Sequence, residues 1–298
     1  MHTKVSVIVP TFNGEKKISI LLNALRAQTF QDFELIVVID GSTDQTYTMV
    51  ESAETTFQKK IITQANQGRS VVKNNGAKHA HGDILIFYDD DMQPEPESIL
   101  KHVNFHQKYV GLLSGNSIEL MNTDKPDIQN YKAGLGKKWT EKYSDGLNEL
   151  NKANIFFTAA NCSIPRNLFN TLNGFDNRLT DAEDYDLATR GLSIGTQVFF
   201  DKGNVAIHHD PITCVGYIKR QREYNRAQKK ISVDVGEKND DNLIETSKRI
   251  LYAPFAFAIF PRIIDSFNVF LIFPKWLRYK LYSVVIHSLA RVYPNVPL

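Results

Sequence analysis

The stretch ILIFYDDDM at residues 84–92 joins five consecutive apolar residues to three consecutive aspartates. An apolar run of this length without polar interruption is typical of a strand that is buried on both faces of a parallel sheet. In open α/β sheets, ligands bind beyond the carboxyl ends of the strands. The stretch therefore predicts a buried strand that is followed directly by a functional site at residues 89–91.

Further apolar runs precede this strand and alternate with amphipathic stretches. In order they are VSVIVP (5–10), ISILLNALRAQ (18–28), FELIVVID (33–40), a helical stretch near 46–56, KKIIT (59–63) and SVVKNNGAKHA (70–80). This alternation predicts an α/β fold with a mainly parallel, mixed sheet flanked by helices, as in Rossmann-like folds. Polar turns at residues 11–14 and 40–44 follow two more of these strands and are expected to join the site.

Composition and charge narrow the class of protein. Of the 298 residues, 42% are hydrophobic and 23% are charged, which excludes an intrinsically disordered chain. A formal net charge of +2 gives no support for nucleic-acid binding. The two cysteines are too few for a disulfide framework, and the amino terminus lacks the pattern of a cleaved secretion signal. We therefore expect a folded cytoplasmic protein.

The three carboxylates at residues 89–91 would repel one another strongly without a cation. Oxygen ligands of this kind suit Mg²⁺ or Mn²⁺, which bind few protein carboxylates and complete their shell with phosphate oxygens and water. A divalent ion at this position would bridge a diphosphate. The alternative is an acidic turn before a helix that begins near residues 94–97, and the motif alone leaves both open.

Asp40 ends a predicted strand within VIDGSTD at residues 38–44. A carboxylate at this position can accept the imino hydrogen of a uracil ring. The motif by itself fits equally well a plain strand-to-helix connection with a capping residue. The turn PTFNG at residues 10–14 is likewise a good strand-ending turn in any α/β protein.

A third acidic motif, TDAEDYDLATRG, lies at residues 180–191. On a helix its carboxylates cannot all face one way, so one can serve chemistry while another makes a structural pair. Asp186 and Arg190 have the i, i+4 spacing of such a pair. A solvated acidic helix start is the alternative. His208 and His209 follow an apolar stretch, and a histidine beside an acidic metal site is a candidate ligand.

Taken in order, these motifs resemble glycosyltransferase family 2, a group of inverting enzymes with the GT-A fold. The resemblance covers about residues 4–210. The matching segments are VSVIVPTFNG (5–14), ELIVVIDGSTDQT (34–46), NQGRSVVKNNGAKHAHGDILIFYDDD (66–91), TAANCSIPRNLFNTLNGFD (158–176), AEDYDLATRG (182–191) and AIHHD (206–210).

The resemblance implies a role for each matched residue. Asp184 would be the catalytic base, with Glu183 beside it. A Mn²⁺ or Mg²⁺ ion would bind Asp89, Asp91 and His208, and His208 matches the family's metal-site histidine better than His209 does. A nucleotide-sugar, expected to be a UDP-sugar, would be bound by Pro10, Thr11, Asn13, Asp40, Gly68, Arg69, Lys73, Asp89 and Asp90. The chain departs from many members in having Ile39 where an acid is common and Lys73 where an arginine is common. Lysine keeps the charge of arginine but loses its planar, two-pronged donor.

The implied reaction is transfer of a sugar with inversion to a hydroxyl of a glycan or lipid-linked acceptor, in the synthesis of a cell-surface polysaccharide. Two other functions stay open: a non-catalytic carbohydrate-binding or scaffold protein of the same fold, and a nucleotidyltransferase. A nucleotidyltransferase predicts a glycine-rich, basic loop after the first strand, and PTFNGEKK at residues 10–17 matches that pattern poorly.

The carboxyl-terminal part differs in character, and we predict a boundary near Asp240 that separates a GT-A domain (1–240) from a helical extension (241–298). Residues 110–155 predict an irregular insertion beside the acceptor site. The apolar stretch 250–260 is too short to span a bilayer, which needs about 20 residues. Seven Lys or Arg against one Asp in residues 246–298, with abundant aromatics and an amphipathic stretch at 277–292, favour docking on the cytoplasmic face of an anionic membrane. Core packing or a homo-oligomer contact is the alternative.

Overall fold

The structure is a computed structural model that describes residues 4–122, 126–234, 249–266 and 271–298. The boundary predicted near Asp240 lies outside the described residues. The chain divides into two compact units. We call Met1–Glu119 with Trp139–Asp210 the sheet unit, and Leu120–Lys138 with Pro211–Leu298 the helical unit.

The sheet unit contains a nine-stranded mixed sheet within the described residues, in the order β3-β2-β1-β4-β8-β6-β9-β5, with β7 paired to β9. The pairs β1–β2, β1–β4, β2–β3 and β6–β9 are parallel, and the other pairs are antiparallel. The strands are β1 (Val5–Thr11), β2 (Phe33–Asp40), β3 (Gln58–Gln64), β4 (Ile84–Tyr88), β5 (Met92–Pro94), β6 (Gly111–Ile118), β7 (Leu147–Leu150), β8 (Asn161–Pro165) and β9 (Gln197–His208).

Helices cover this sheet, as the alternation of the sequence predicts. They are α1 (Ile18–Arg26), α2 (Thr46–Ser52), α3 (Arg69–Lys78), α4 (Ser98–His106), α6 (Arg166–Thr171) and α7 (Glu183–Ser193). Strand β4 shows why its sequence is apolar throughout. Leu85 and Phe87 pack into one core, whereas Ile84, Ile86 and Tyr88 pack into another, so both faces of the strand exclude water.

The prediction of an irregular insertion at residues 110–155 is wrong. This segment forms β6, helix α5 (Asp127–Thr140) and β7, and β6 lies inside the sheet between β8 and β9. Small polar residues in GLLSGNSI hide the strand from a hydrophobicity pattern. Ser114 and Asn116 are buried and find partners on other segments: the backbone N–H of Thr158 donates to Ser114 (3.2 Å), and the side-chain amide of Asn116 donates to the carbonyl of Lys202 (3.1 Å).

The helical unit confirms the predicted carboxyl-terminal helical part. It contains most of α5, helix α8 (Cys214–Asp234), a helix at Ile259–Ser266, and a helix at Lys275–His287 that continues into a π-helical turn at Ser288–Val292. Its core joins α5 and α8 to these last helices through Ile128, Cys214, Ile218, Val285 and Leu289. Within the described residues, no helix is long and apolar enough to cross a membrane.

Candidate active site

Three strand ends meet at one edge of the sheet and bring the predicted acidic and polar residues together. Strand β1 lies between β2 and β4, and all three run parallel, so Thr11, Asp40 and the aspartates at 89–91 emerge side by side. This is the position at which open α/β sheets bind their ligands.

The loop after β1 is fastened to the loop after β2 through Asn13. Its backbone N–H donates to the hydroxyl of Ser42 (2.9 Å), and its side-chain oxygen accepts from the N–H of Thr43 (2.9 Å). Asn13 has a positive φ of 48°, a conformation that asparagine adopts more readily than most residues. The neighbouring N–H of Gly14 donates to Thr46 (2.7 Å). Asn13 therefore holds together the two loops that border this edge of the sheet.

Asp40 holds the segment before α3 against the end of β2. One carboxylate oxygen accepts from the side chain of Gln64 (2.7 Å) and from the backbone N–H of Gln67 (2.9 Å), and the other accepts from the N–H of Gly68 (2.9 Å). An ionised carboxylate offers about four acceptor positions. The buried Asp40 thus keeps acceptor capacity for a ligand while it fixes the start of α3.

Asp90 points into the loop after β1. Its carboxylate lies 2.8 Å from the Lys17 ammonium and accepts a 2.5 Å hydrogen bond from the Thr11 hydroxyl. Burial raises the pKa of Asp90 to about 6, even though Lys17 and Thr11 act in the opposite direction. A Cβ at Gly14 would lie 2.2 Å from the Thr11 hydroxyl oxygen, so the turn needs glycine at this position. Asp90 and Thr11 consequently shape the loop after β1.

Asp91 faces His208, which lies near the end of β9. The imidazole Nε2 is 3.2 Å from the Asp91 carboxylate, and Nδ1 is 3.4 Å from the carboxylate of Glu119. Burial alone would raise the pKa of Asp91, but the neighbouring His208, with Lys17, lowers it to about 2. The ring of His209 instead bonds to the side chain of Gln93 (2.7 Å).

The residues at this position fit a divalent ion that is shared with a phosphate ligand. The Asp91 oxygen beside His208 is buried and accepts no well-formed hydrogen bond from the described residues. The carboxylate of Asp89, the third predicted ligand, lies 3.6 Å from the ammonium of Lys73. Among the residues that the structure describes, no three His, Cys, Asp or Glu side chains surround a common point. An ion held by Asp91 and His208 would complete its shell with phosphate oxygens and water, as Mg²⁺ and Mn²⁺ commonly do.

Lys73 connects the acids after β4 with the acids at the start of α7. Its ammonium lies 2.9 Å from the carboxylate of Glu183 and 3.6 Å from that of Asp89, and the side chains of Lys73 and Glu183 are each 3% exposed. Burial opposes both charges, yet Asp89 and Glu183 raise the pKa of Lys73 well above its ordinary value. Lys73 and Arg69 in turn hold the pKa of Glu183 below its ordinary value. The pair is therefore ionised.

Glu183 and Asp184, the two adjacent acids at the start of α7, have different surroundings. Whereas Glu183 faces Lys73, the carboxylate of Asp184 accepts from the backbone N–H groups of Ala159 (3.1 Å) and Tyr185 (2.8 Å). Burial and the charge of Glu183 both raise the pKa of Asp184, which suits a proton acceptor. Ala182, directly before the pair, has a positive φ of 58°, a strained conformation for alanine that is often found at functional sites.

The sequence of this chain matches a known protein family. Residues 6–172 match the profile described as glycosyl transferase family 2. The chain belongs to this family. Among curated relatives, the uncharacterized glycosyltransferase YfnE of Bacillus subtilis is 26% identical over 260 residues, which cover 71% of this chain and 66% of YfnE. The poly(ribitol-phosphate) beta-N-acetylglucosaminyltransferase TarS of Staphylococcus aureus is 41% identical over 92 residues, which cover 30% of this chain and 16% of TarS.

Solved structures confirm the GT-A type of fold. The mannosyltransferase PcManGT from Pyrobaculum calidifontis, in complex with GDP-Man and Mn²⁺, superposes with a TM-score of 0.63 at 17% identity and covers 98% of this chain and 87% of that chain. S. aureus TarS 1–349, in complex with UDP-GlcNAc, gives a TM-score of 0.58 at 18% identity and covers 98% and 90%. This chain spans less than two thirds of the length of YfnE and of TarS.

In this glycosyltransferase domain, Arg69 and Asp186 have distinct surroundings. Arg69, at the start of α3, is partly exposed and lies 3.8 Å from Asp181. The predicted pair of Asp186 and Arg190 is confirmed, with a hydrogen bond of 2.8 Å. Arg190 also donates to the carbonyl of Gly174 (2.8 Å). Asp186 therefore has a structural role: it pairs with Arg190, which in turn holds the chain at Gly174.

The sequence patterns do not identify two residues of this site, Lys17 and Glu119. Lys17 lies in PTFNGEKK at residues 10–17, and a single lysine after a turn that matches a phosphate loop poorly carries no signal of its own. Glu119 directly follows β6, in the segment that the sequence suggested to be irregular. Its position beside His208 depends on the parallel register of β6 and β9, in which Ile118 pairs with Ile207. No local signal gives that register.

Proposed function

We propose that the protein is an inverting glycosyltransferase that moves a sugar from a UDP-sugar to a hydroxyl of a cell-surface glycan or a lipid-linked glycan. The observation that carries this proposal is the buried Lys73, which joins the acid after β4 to the acid pair of α7. Donor and acceptor chemistry are thereby held in one network. S. aureus TarS 1–349 has been solved in complex with UDP-GlcNAc and with UDP, which supports a uridine donor.

The mechanism assigns the base to Asp184. Its carboxylate takes the proton of the acceptor hydroxyl as the oxygen attacks the anomeric carbon. The bond from that carbon to the diphosphate breaks on the opposite face, and its electron pair leaves with the phosphate oxygen. The configuration at the anomeric carbon is therefore inverted in a single displacement, and no covalent sugar intermediate forms on the protein.

Cationic side chains of the protein would stabilise the negative charge that develops on the diphosphate as it leaves. Lys17 and Arg69 are both partly exposed near the acids of the site, and they can turn toward a bound phosphate. Asp91 and His208 would hold Mn²⁺ or Mg²⁺, which when bound supplies Lewis-acid stabilisation of the leaving group. The complex of PcManGT with Mn²⁺ supports this cofactor class.

The base assignment is tested by comparing Asp184→Asn with Glu183→Gln. A panel of nucleotide sugars with Mn²⁺ identifies the donor, first by the rise in melting temperature and then by release of the nucleoside diphosphate. We expect Asp184→Asn to bind the donor with unchanged affinity and to lower the rate of transfer by about 10²- to 10⁴-fold. An active Asp184→Asn together with an inactive Glu183→Gln would assign the base to Glu183.

The metal assignment is tested by Asp91→Asn. We expect turnover to fall by orders of magnitude in this variant, and we expect chelator to inactivate the wild type, because the diphosphate would then face carboxylates without a cation. Unfolding by urea serves as the control that the fold is intact. Full activity of Asp91→Asn in the presence of chelator would refute the metal site.

A further inference from the structure

Two segments of the helical unit expose apolar side chains that nothing in the described residues covers. Residues 250–260 contain no charged residue, and none of these eleven residues is buried. In residues 271–276, all six side chains are exposed. Ile250 and Ile272 are each 78% exposed and Trp276 is 69% exposed. Clusters of exposed large apolar side chains mark interaction sites. We call these two stretches the apolar segments.

The first apolar segment is held in a defined position. The carbonyl of Tyr252 accepts a hydrogen bond from Ser288 (3.0 Å), and the carbonyl of Arg249 accepts one from Tyr293 (2.7 Å). Phe255 packs against the core of the helical unit from the outside. Phe260 packs against the same core. These anchors fix the backbone, while Leu251, Phe257 and Ile259 are exposed, Phe257 at 59%.

Part of the amphipathic stretch that the sequence suggested for membrane contact packs within the helical unit. Val285, Leu289 and Val292, half of its apolar face, are buried. Val285 and Leu289 belong to the core that also contains α8 residues. That half of the face is therefore engaged within the helical unit. The exposed surface lies instead on the apolar segments.

Charge is divided unequally between the two units. By sequence, the helical unit carries 18 Lys or Arg against 9 Asp or Glu, a net charge of +9, whereas the sheet unit carries 17 against 24, a net charge of −7. Exposed cations also lie within or next to the apolar segments and the two helices after them, at Arg249, Arg262, Lys275 and Lys280. Aromatic and aliphatic side chains beside cations are the composition that binds an anionic bilayer interface.

We propose that the apolar segments insert into the interfacial layer of an anionic lipid bilayer, with Arg249, Arg262, Lys275 and Lys280 at the level of the headgroups. The protein then lies on the surface of one leaflet. A second copy of the chain is the rival occupant, because the acidic sheet unit could attract the basic helical unit. The proposal concerns binding alone and does not depend on the proposed reaction.

Flotation with vesicles tests the proposal without donor or acceptor. Full-length protein is mixed with phosphatidylcholine vesicles that contain or lack phosphatidylglycerol. The double variant Ile272→Ser/Trp276→Ala removes an exposed isoleucine and an exposed tryptophan from the second apolar segment. Ile194→Ser/Trp139→Ala is the matched control, since it removes the same two residue types, also exposed, from the sheet unit.

We expect the wild type and the control to float with phosphatidylglycerol vesicles and the first variant to bind at least roughly tenfold more weakly. Neutralising Arg262 and Lys275 to glutamine should weaken this binding by about fivefold per cation. Absence of flotation of the wild type, or an equal loss in the control, would overturn the proposal. So would a dimer in lipid-free sedimentation that Ile272→Ser/Trp276→Ala dissociates.

Tryptophan fluorescence gives an independent readout. The chain has two tryptophans, so Trp139→Phe leaves Trp276 as the sole emitter. We expect its emission to shift to the blue, and to be quenched by brominated lipid, when phosphatidylglycerol vesicles are added. Emission that is unchanged at vesicle concentrations that float the protein would overturn the insertion of this segment.

Discussion

Replacing Lys73 by methionine removes the ammonium that lies 2.9 Å from the carboxylate of Glu183. The side chain of Glu183 is 3% exposed, so water cannot take the place of the lost partner. Breaking a buried ion pair in this way typically costs about 3 to 5 kcal/mol. Because the Arg69 charge also acts on Glu183 and remains in the variant, we expect a loss near 3 kcal/mol in the free energy of unfolding.

The loss should depend on pH in a defined direction. In the wild type the pKa of Glu183 lies below its ordinary value of 4.5, so the pair stabilises the fold above that value and less as pH falls through the lowered pKa. In Lys73→Met, burial without a partner raises the pKa of Glu183. The penalty is then full at neutral pH and disappears once Glu183 is protonated. The difference between wild type and variant must therefore shrink from neutral to acidic pH.

Urea unfolding at neutral and acidic pH measures both effects. Lys73→Arg keeps the charge and should lose much less stability than Lys73→Met. The double variant Lys73→Met/Glu183→Gln should recover part of the loss, because it leaves no charge without a partner at Glu183. A loss below about 1 kcal/mol in Lys73→Met, or a loss that is the same at both pH values, would refute the reasoning.

Three further predictions concern the base and the packing around the site. The pH profile of kcat should fall on its acid side above the ordinary aspartate value of 3.8, because the pKa of Asp184 is raised; a fall at or below that value would exclude Asp184 as the base. Arg190→Ala should lower the free energy of unfolding by about 2 kcal/mol, since Asp186 and two backbone carbonyls lose their donor; urea unfolding within 0.5 kcal/mol of wild type would contradict it. Gly115→Ala should destabilise the fold by about 1 to 3 kcal/mol, because its Cβ would lie 2.3 Å from a buried asparagine amide. Gly136→Ala is the helical control and should be neutral or stabilising, because outside its own helix backbone no atom of the described residues lies within 4 Å of the added Cβ.

The sequence by itself determined the first half of the sheet and the family. Strands β1, β2 and β4 are buried on both faces, so their residues before the strand ends are apolar except for Ser6 and Glu34, and the turns that follow them carry residues with strong local preferences. Such features depend on neighbours along the chain, which a pattern can register. The same holds for the pair of Asp186 and Arg190, whose spacing on one helix is sufficient to bring them together.

Tertiary structure alone decided how the motifs combine. Lys73 and Glu183 are 110 residues apart in sequence, and their contact depends on how α3 and α7 pack on the sheet. Glu119 reaches His208 through the register of β6 and β9, and β6 itself carries small polar residues whose partners lie on other segments. The exposure of the apolar segments likewise follows from which helix faces the core of the helical unit already uses. Periodicity reports the local backbone, whereas these contacts arise from sheet order and packing between distant residues.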